Sequence, residues 1–261
     1  MFEYRLSTKE IALLNLICKK KTTIRELSDQ IALSYSRTSE LVTTLKQKGF
    51  VTKSKGLKKT IKRSKNEHTQ KYCSLTNTFP HIDWKQNLSH SKAEILTQTC
   101  YEQTSINTLA KITNKTKKTI RNNIKKPMEI GIIKQQNKEL KTTERFSPLC
   151  SFLKSWRYYY DLSLVEKTAP DSTIIEQAGL EFIIESESPI KSKHFTETGP
   201  SYLTKIDDHL LYTSYTYIHT HREISLKEHL INTIKLTSDK RIYNTTKRIA
   251  EENNIPMEDI S

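Results

Sequence analysis

The stretch from Thr22 to Leu75 constrains this chain more than any other. Thr23 and Glu26 have the spacing of a capping box, in which hydroxyl and carboxylate each satisfy a backbone N–H left open at a helix start. The short helix they open turns Leu27 and Ile31 inward. After a tight turn, Ser34 can cap another helix, where Thr38, Leu41, Val42 and Leu45 share one face at helical spacing. The opposite face carries Ser36, Glu40, Thr43 and Gln47, flanked by Arg37, Ser39 and Thr44. These are small donors and acceptors of a size that fits a major groove. Gly49, Phe50 and Val51 read as a turn into a strand. A loop with seven cations follows: Lys53, Lys55, Lys58, Lys59, Lys62, Arg63 and Lys65, with no Asp or Glu between them. Lys71 to Thr76 reads as the returning strand.

Charge is distributed unevenly. Residues 1–75 carry a net +11, residues 76–150 a net +7 and residues 151–261 a net −4, for +14 in all. A Lys-rich genomic bias would colour the whole chain, and the last part is not basic. The first half therefore has the electrostatics of a polyanion binder.

On these residues, 8–76 resembles a winged-helix domain of the MarR or ArsR type. The resemblance rests on Leu27, Ile31, Ser34, Leu41, Leu45, Gly49, Phe50 and Val51. It implies that the helix from Ser34 enters a major groove of double-stranded DNA, with Tyr35, Ser36, Arg37, Glu40 and Thr43 near the bases. It also implies that the basic loop touches the neighbouring backbone. Glu40 can accept from cytosine or repel phosphates, and the sequence leaves both open.

The plan then repeats. Ser91 and Glu94 have capping-box spacing, and Ser105 caps a helix with Ile106, Leu109 and Ile112. A polar-faced helix over 115–126 turns Ile120 and Ile124 inward. It turns Lys115, Lys118, Asn122 and Lys125 outward, with Lys117 and Arg121 nearby. Pro127 lacks an N–H and should stop or kink this helix near Lys125. Ile130 to Ile133 parallels Lys48 to Val51, and Asn137-Lys138 can turn a short hairpin. A second winged helix follows from this, gripping backbone or serving as a packing or dimerisation module.

The second half carries an aromatic group, Phe152, Trp156 and Tyr158 to Tyr160, which reads as packing more readily than as a stacking platform for bases. Ser172–Ala178 looks helical, Gly179–Ile184 and Leu210–His219 read as strands, and Ser201–Asp208 as a helix. Ser225 and Glu228 form another capping box, and a further helix starts at Ser238. Two histidines, His219 and His221, share a strand face but lack a third metal ligand. Asp207-Asp208 with Glu181 or Glu185 lacks the spacing of a nuclease site. No Gly-rich phosphate loop or nucleophile elbow is present. We therefore expect no enzyme activity, cofactor or metal. Cys18, Cys73, Cys100 and Cys150 include no CxxC pair and read as isolated buried hydrophobes suited to a reducing, cytoplasmic setting. No apolar run approaches the ~20 residues of a membrane span, and the N-terminus does not read as a signal peptide.

The expected fold is α+β: two tandem winged helix-turn-helix domains (1–78 and 91–147), joined by a linker (79–90) and followed by a small α+β domain (148–261). The last would dimerise or receive a protein partner or ligand. The expected function is a sequence-specific DNA-binding transcriptional regulator of repressor type. A replication initiator or partition protein is the alternative, as is an antitoxin autorepressor of the AbiEi type. The second half resembles the latter through Thr198 to Ser201 and Ile224 to Ile231.

Overall fold

The computed structural model describes residues 3–54, 60–207 and 209–260. The chain divides into two compact units, 1–161 and 162–261. The first unit contains one module folded twice, element for element.

In the first module, α1 (Thr8–Lys19) starts at a capping box in which Ser7 accepts from the Glu10 N–H and Glu10 accepts from the Ser7 N–H. A two-residue strand, β1 (Thr22–Thr23), leads to α2 (Ile24–Ile31), capped reciprocally by Thr23 and Glu26 as expected. Ala32 turns the chain in the left-handed region (φ 50°). Ser34 then caps α3 (Tyr35–Gln47) by accepting from the Arg37 N–H. After Gly49, β2 (Val51–Lys53) and β3 (Thr60–Arg63) pair antiparallel, and β1 joins the far side of β3 to give the order β1-β3-β2.

Leu13, Leu14, Leu27, Val42, Leu45, Phe50 and Ile61 are fully buried and form the core of this module. One ion pair is buried with them. The Lys48 ammonium donates to Glu10 at 2.7 Å and to the Arg5 carbonyl at 2.6 Å. Two further donors to the core are supplied by Asn66 and Thr69, whose side chains reach the Gly49 carbonyl.

The return expected at Lys71–Thr76 is instead helical. Strand β3 already closes the sheet, and the chain continues into α4 (Glu67–Thr78), which buries His68, Tyr72 and Leu75. Lys62 and Arg63 therefore lie on a strand, not in a loop. The stretch 79–90, expected as a linker, holds a short helix α5 (Trp84–Leu88) that buries Trp84 and Leu88.

The second module runs through α6 (Ser91–Tyr101), β4 (Thr104–Ser105), α7 (Ile106–Ile112), α8 (Lys117–Glu129), β5 (Ile133–Gln136) and β6 (Glu139–Thr142), with sheet order β4-β6-β5. Two expectations fail here. The N-cap of α6 is His90 (φ 56°) with no side-chain bond, because Glu94 is held by Arg5 at 2.9 Å and Lys115 at 3.0 Å. Helix α8 runs through Pro127 to Glu129. Pro127 is buried where the first module has Leu45, so its missing N–H is tolerated for the sake of an apolar contact. Asn137 and Lys138 both take positive φ, 49° and 67°, as a tight hairpin turn requires.

Each module is tied covalently to the helix that follows its hairpin. Cys18 at the end of α1 bonds Cys73 in α4, and Cys100 at the end of α6 bonds Cys150 in α9 (Ser147–Thr168). The cysteines are thus paired and not isolated. Such bonds are usual in oxidising compartments and rare in the cytosol, so the cysteines lend no support to a reducing one. The expected aromatic group on α9 is a packing surface. Phe152 and Trp156 are fully buried, with the Trp156 ring 4.3 Å from Tyr4 and 5.4 Å from Phe50. A buried Arg157–Asp161 pair at 2.6 Å sits beside them.

In the second unit, β7 (Ser172–Ala178), expected as a helix, is an edge strand. With β8 (Glu181–Ser186), β9 (Thr196–Glu197) and β10 (Tyr215–His219) it forms an antiparallel sheet of order β7-β8-β10-β9. Strand β10 is shorter than the expected Leu210–His219. A short helix α10 (Gly199–Leu203) precedes it, also shorter than expected, followed later by α11 (Leu226–Leu236) and α12 (Lys240–Glu252). Asp208 lies outside the described residues. Phe182, Ile184, Phe195 and Tyr217 pack on one side of this unit, while Leu203, Leu230, Ile242 and Ile249 form a second cluster. The unit also holds a polar network, in which buried Thr198 faces buried His229 at 3.1 Å and accepts from Asn232 at 3.0 Å.

Candidate nucleic-acid interface

The first half of α3 is presented to solvent as a polar face. Ser34, Tyr35, Ser36, Arg37, Glu40 and Thr43 are all exposed, Tyr35 by 59%. Arg37 donates to Glu40 at 2.7 Å one turn along, with both side chains more than half exposed. An exposed pair of this kind contributes only ~0.2–1 kcal/mol, so Arg37 can be released to a base or a phosphate and Glu40 to a base donor. The hairpin reaches this face directly, since the Lys53 ammonium donates to the Thr43 hydroxyl at 3.2 Å.

Behind that contact, the base of the hairpin frames a concavity of about 920 Å³. Lys53, Lys62, Arg63 and Lys65 line it, so these four predicted cations are brought together. Lys55, Lys58 and Lys59 lie outside the described residues. Lys19, Lys20, Lys21 and Lys46 join the four. The first three close α1, where the negative end of the helix dipole favours cations. The signal that placed them here is their position just before β1, which pairs with β3 through Thr22 and Ile61.

The floor depends on one glycine. Gly49 has φ +76°, and a Cβ there would come within 2.6 Å of the Tyr159 ring and 2.8 Å of the Asn66 amide. Tyr159 in turn packs on His68, ring centres 4.6 Å apart, and His68 lies edge-on to Phe50 at 4.7 Å. Burial pulls the His68 imidazole down to about 4, with a hydrogen bond to the Lys48 backbone opposing only in part.

The second module distributes its charge differently. Lys117, Lys118, Arg121, Asn122 and Lys125 are exposed on α8. Arg121, Asn122 and Lys125 line a hollow of about 650 Å³ with Gln135 and Lys138 of the short hairpin. Lys115 does not join them. It is half-buried, and its ion pair with Glu94 makes it a structural group, a correction to its expected place on the DNA face.

Among the described residues, no three His, Cys, Asp or Glu side chains converge on a point that could hold a metal ion. No helix among them is long and apolar enough to cross a membrane. His219 turns its Nδ1 to the His194 carbonyl at 2.9 Å and packs against Phe182.

No protein-family model and no curated protein matches the chain. A solved structure, the IclR of Thermotoga maritima, aligns over 94% of this chain and 95% of its own at 11% identity. The TM-score is 0.21, too low for the likeness to carry an argument.

Proposed function

We propose that the protein is a DNA-binding transcriptional regulator whose two modules are winged helices, with α3 as the base-reading helix and the β2–β3 hairpin as the wing. The observation that carries this reading is the hydrogen bond between Lys53 and Thr43, which sets a cationic hairpin beside an exposed polar helix face. Such a face selects bases through side-chain donors and acceptors, and the hairpin supplies sequence-independent attraction to phosphates. Repression, by occluding a promoter, is the mode we assign. The second module, with five cations and one acid on α8, adds backbone affinity. No chemical step is part of this reading. The second unit serves a partner, a ligand or self-association.

Fluorescence anisotropy on duplexes selected from genomic DNA tests the assignment. Log affinity should fall with log salt by about 0.9 per phosphate neutralised. Replacing Lys62 and Arg63 with Gln should weaken all sequences alike. Ser36→Ala and Arg37→Ala should change preference at particular base pairs by about 1–3 kcal/mol. Salt-independent binding would overturn the proposal, and a hairpin variant that alone alters preference would reverse the two roles.

A further inference from the structure

The first module holds something that the second lacks at the same place in the fold. The concavity under Gly49 is matched under Gly131 by one of about 620 Å³, at the base of the β5–β6 hairpin. The two glycines share a turn, with φ of +76° and +75°. In the second module the lining offers Lys134, Lys141 and Arg145 against Glu139 and Glu144, a net charge of one. In the first, the lining counts eight cations and no acid. Shared backbone geometry therefore does not dictate the positive lining.

That lining has a cost. Eight charges of one sign lining one concavity repel, most strongly those closer together than the Debye length of ~8 Å at physiological salt. None is ion-paired to a carboxylate among the described residues. Lys53 bonds a hydroxyl, and the lining threonine Thr52 has a buried hydroxyl with no hydrogen-bond partner among the described residues.

We propose that this concavity is a polyphosphate site. It takes a ligand with several adjacent phosphates, either a free nucleoside triphosphate or successive phosphates of a nucleic-acid backbone. Its volume falls within the ~300–1,000 Å³ typical of small-ligand sites. Seven of the eight cations are lysines, compact point charges that suit a flexible phosphate chain more than the fixed fork of a bidentate carboxylate pair. The site does not rest on base recognition by α3.

Isothermal titration of the full chain with sodium tripolyphosphate, at near-physiological salt and without DNA, tests the proposal. The unsubstituted protein should bind. Replacing Lys19, Lys20 and Lys21 together with Gln should weaken binding at least about tenfold, or ~1.4 kcal/mol. These three side chains are exposed, so an unchanged thermal midpoint should show that the fold is intact. The matching pair Lys134→Gln and Lys141→Gln should leave binding as it was. Absence of binding, or equal losses from both variants, overturns the site. Two further arms assign the source, and either outcome upholds the site. If ATP binds like tripolyphosphate while the triple variant keeps its DNA affinity, the ligand is a free nucleotide. If the triple variant loses DNA affinity with a flatter salt dependence, and tripolyphosphate displaces DNA, the ligand is backbone. Failure here leaves α3 recognition standing, because that is read from Ser36 and Arg37.

Discussion

The two modules of the first unit share a backbone plan and differ in where they keep their charge. The same register runs from Cys18 to Cys100, Thr22 to Thr104, Thr38 to Ile120 and Gly49 to Gly131. In the first module α3 has one close ion pair and a polar, nearly neutral face, and the cations crowd the hairpin base. In the second they stand on the helix, where Lys118 replaces Ser36, Arg121 replaces Ser39 and Lys125 replaces Thr43. A helix covered in lysine attracts any phosphate, whereas a helix of hydroxyls distinguishes one base edge from another. The interior differs too. The buried Lys48–Glu10 pair of the first module is replaced by Ile130 and Lys92 at the same positions of the second. One scaffold therefore supports two charge distributions, because neither the surface charge nor this buried pair is needed to close the fold.

The largest expected effect lies in that buried pair. Lys48→Met leaves the Glu10 carboxylate buried without its partner and should destabilise the first module by about 3–5 kcal/mol. Ile130→Met, at the matching place, should cost under ~1.5 kcal/mol. Urea denaturation checks both, and similar losses would break the contrast between the two interiors. Next come the disulfides. They close loops of 55 and 50 residues of separation, so on the chain-entropy account removing either pair as Cys→Ala should cost close to 4 kcal/mol. Near-equal losses sharpen the equivalence of the modules, and a large difference breaks it.

The smallest effect is acid sensitivity. The His68 imidazole is held near 4, against 6.5 when unperturbed. Between those values the unfolded chain binds the proton more readily than the folded one, so stability is full above about 6.5 and falls as pH drops towards 4. The second module has no histidine from Ser91 to Asp161. Amide exchange at pH 7 and pH 5 should therefore show protection lost around α4 and Phe50 before it is lost around α8. Simultaneous loss in both modules would count against His68 as the cause.

Much of the first unit was legible because its signals are local. Thr23 and Ser225 cap reciprocally where their spacing predicted, and Ser34 and Ser105 cap as single side chains. Asn137-Lys138 turns the hairpin. Strand β3 escaped notice because it buries only Ile61 within a basic run, which leaves no alternation to read. With that strand missed, the apolar residues of α4 looked like its replacement. Ser172–Ala178 misread as helix because adjacent Ile174 and Ile175 and a bulge after Ile174 obscure the period of two. The cysteine pairs depend on contacts made across some fifty residues. The one sequence trace they leave is recurrence, a cysteine closing the first helix of each module and another beyond each hairpin. Of the site, the exposed face of α3 followed from helical periodicity. The contribution of Lys19 to Lys21 required the pairing of β1 with β3, a tertiary fact.

The two disulfides have a consequence for the covalent path of the chain. The ring of the first module encloses α3 and the β2–β3 hairpin and that of the second encloses α8 and the β5–β6 hairpin, while α5 lies on the segment between the rings, from Cys73 to Cys100. A single peptide-bond cleavage inside either ring leaves the polypeptide in one piece until a thiol reductant is added. One cleavage between the rings severs the covalent link between the modules at once.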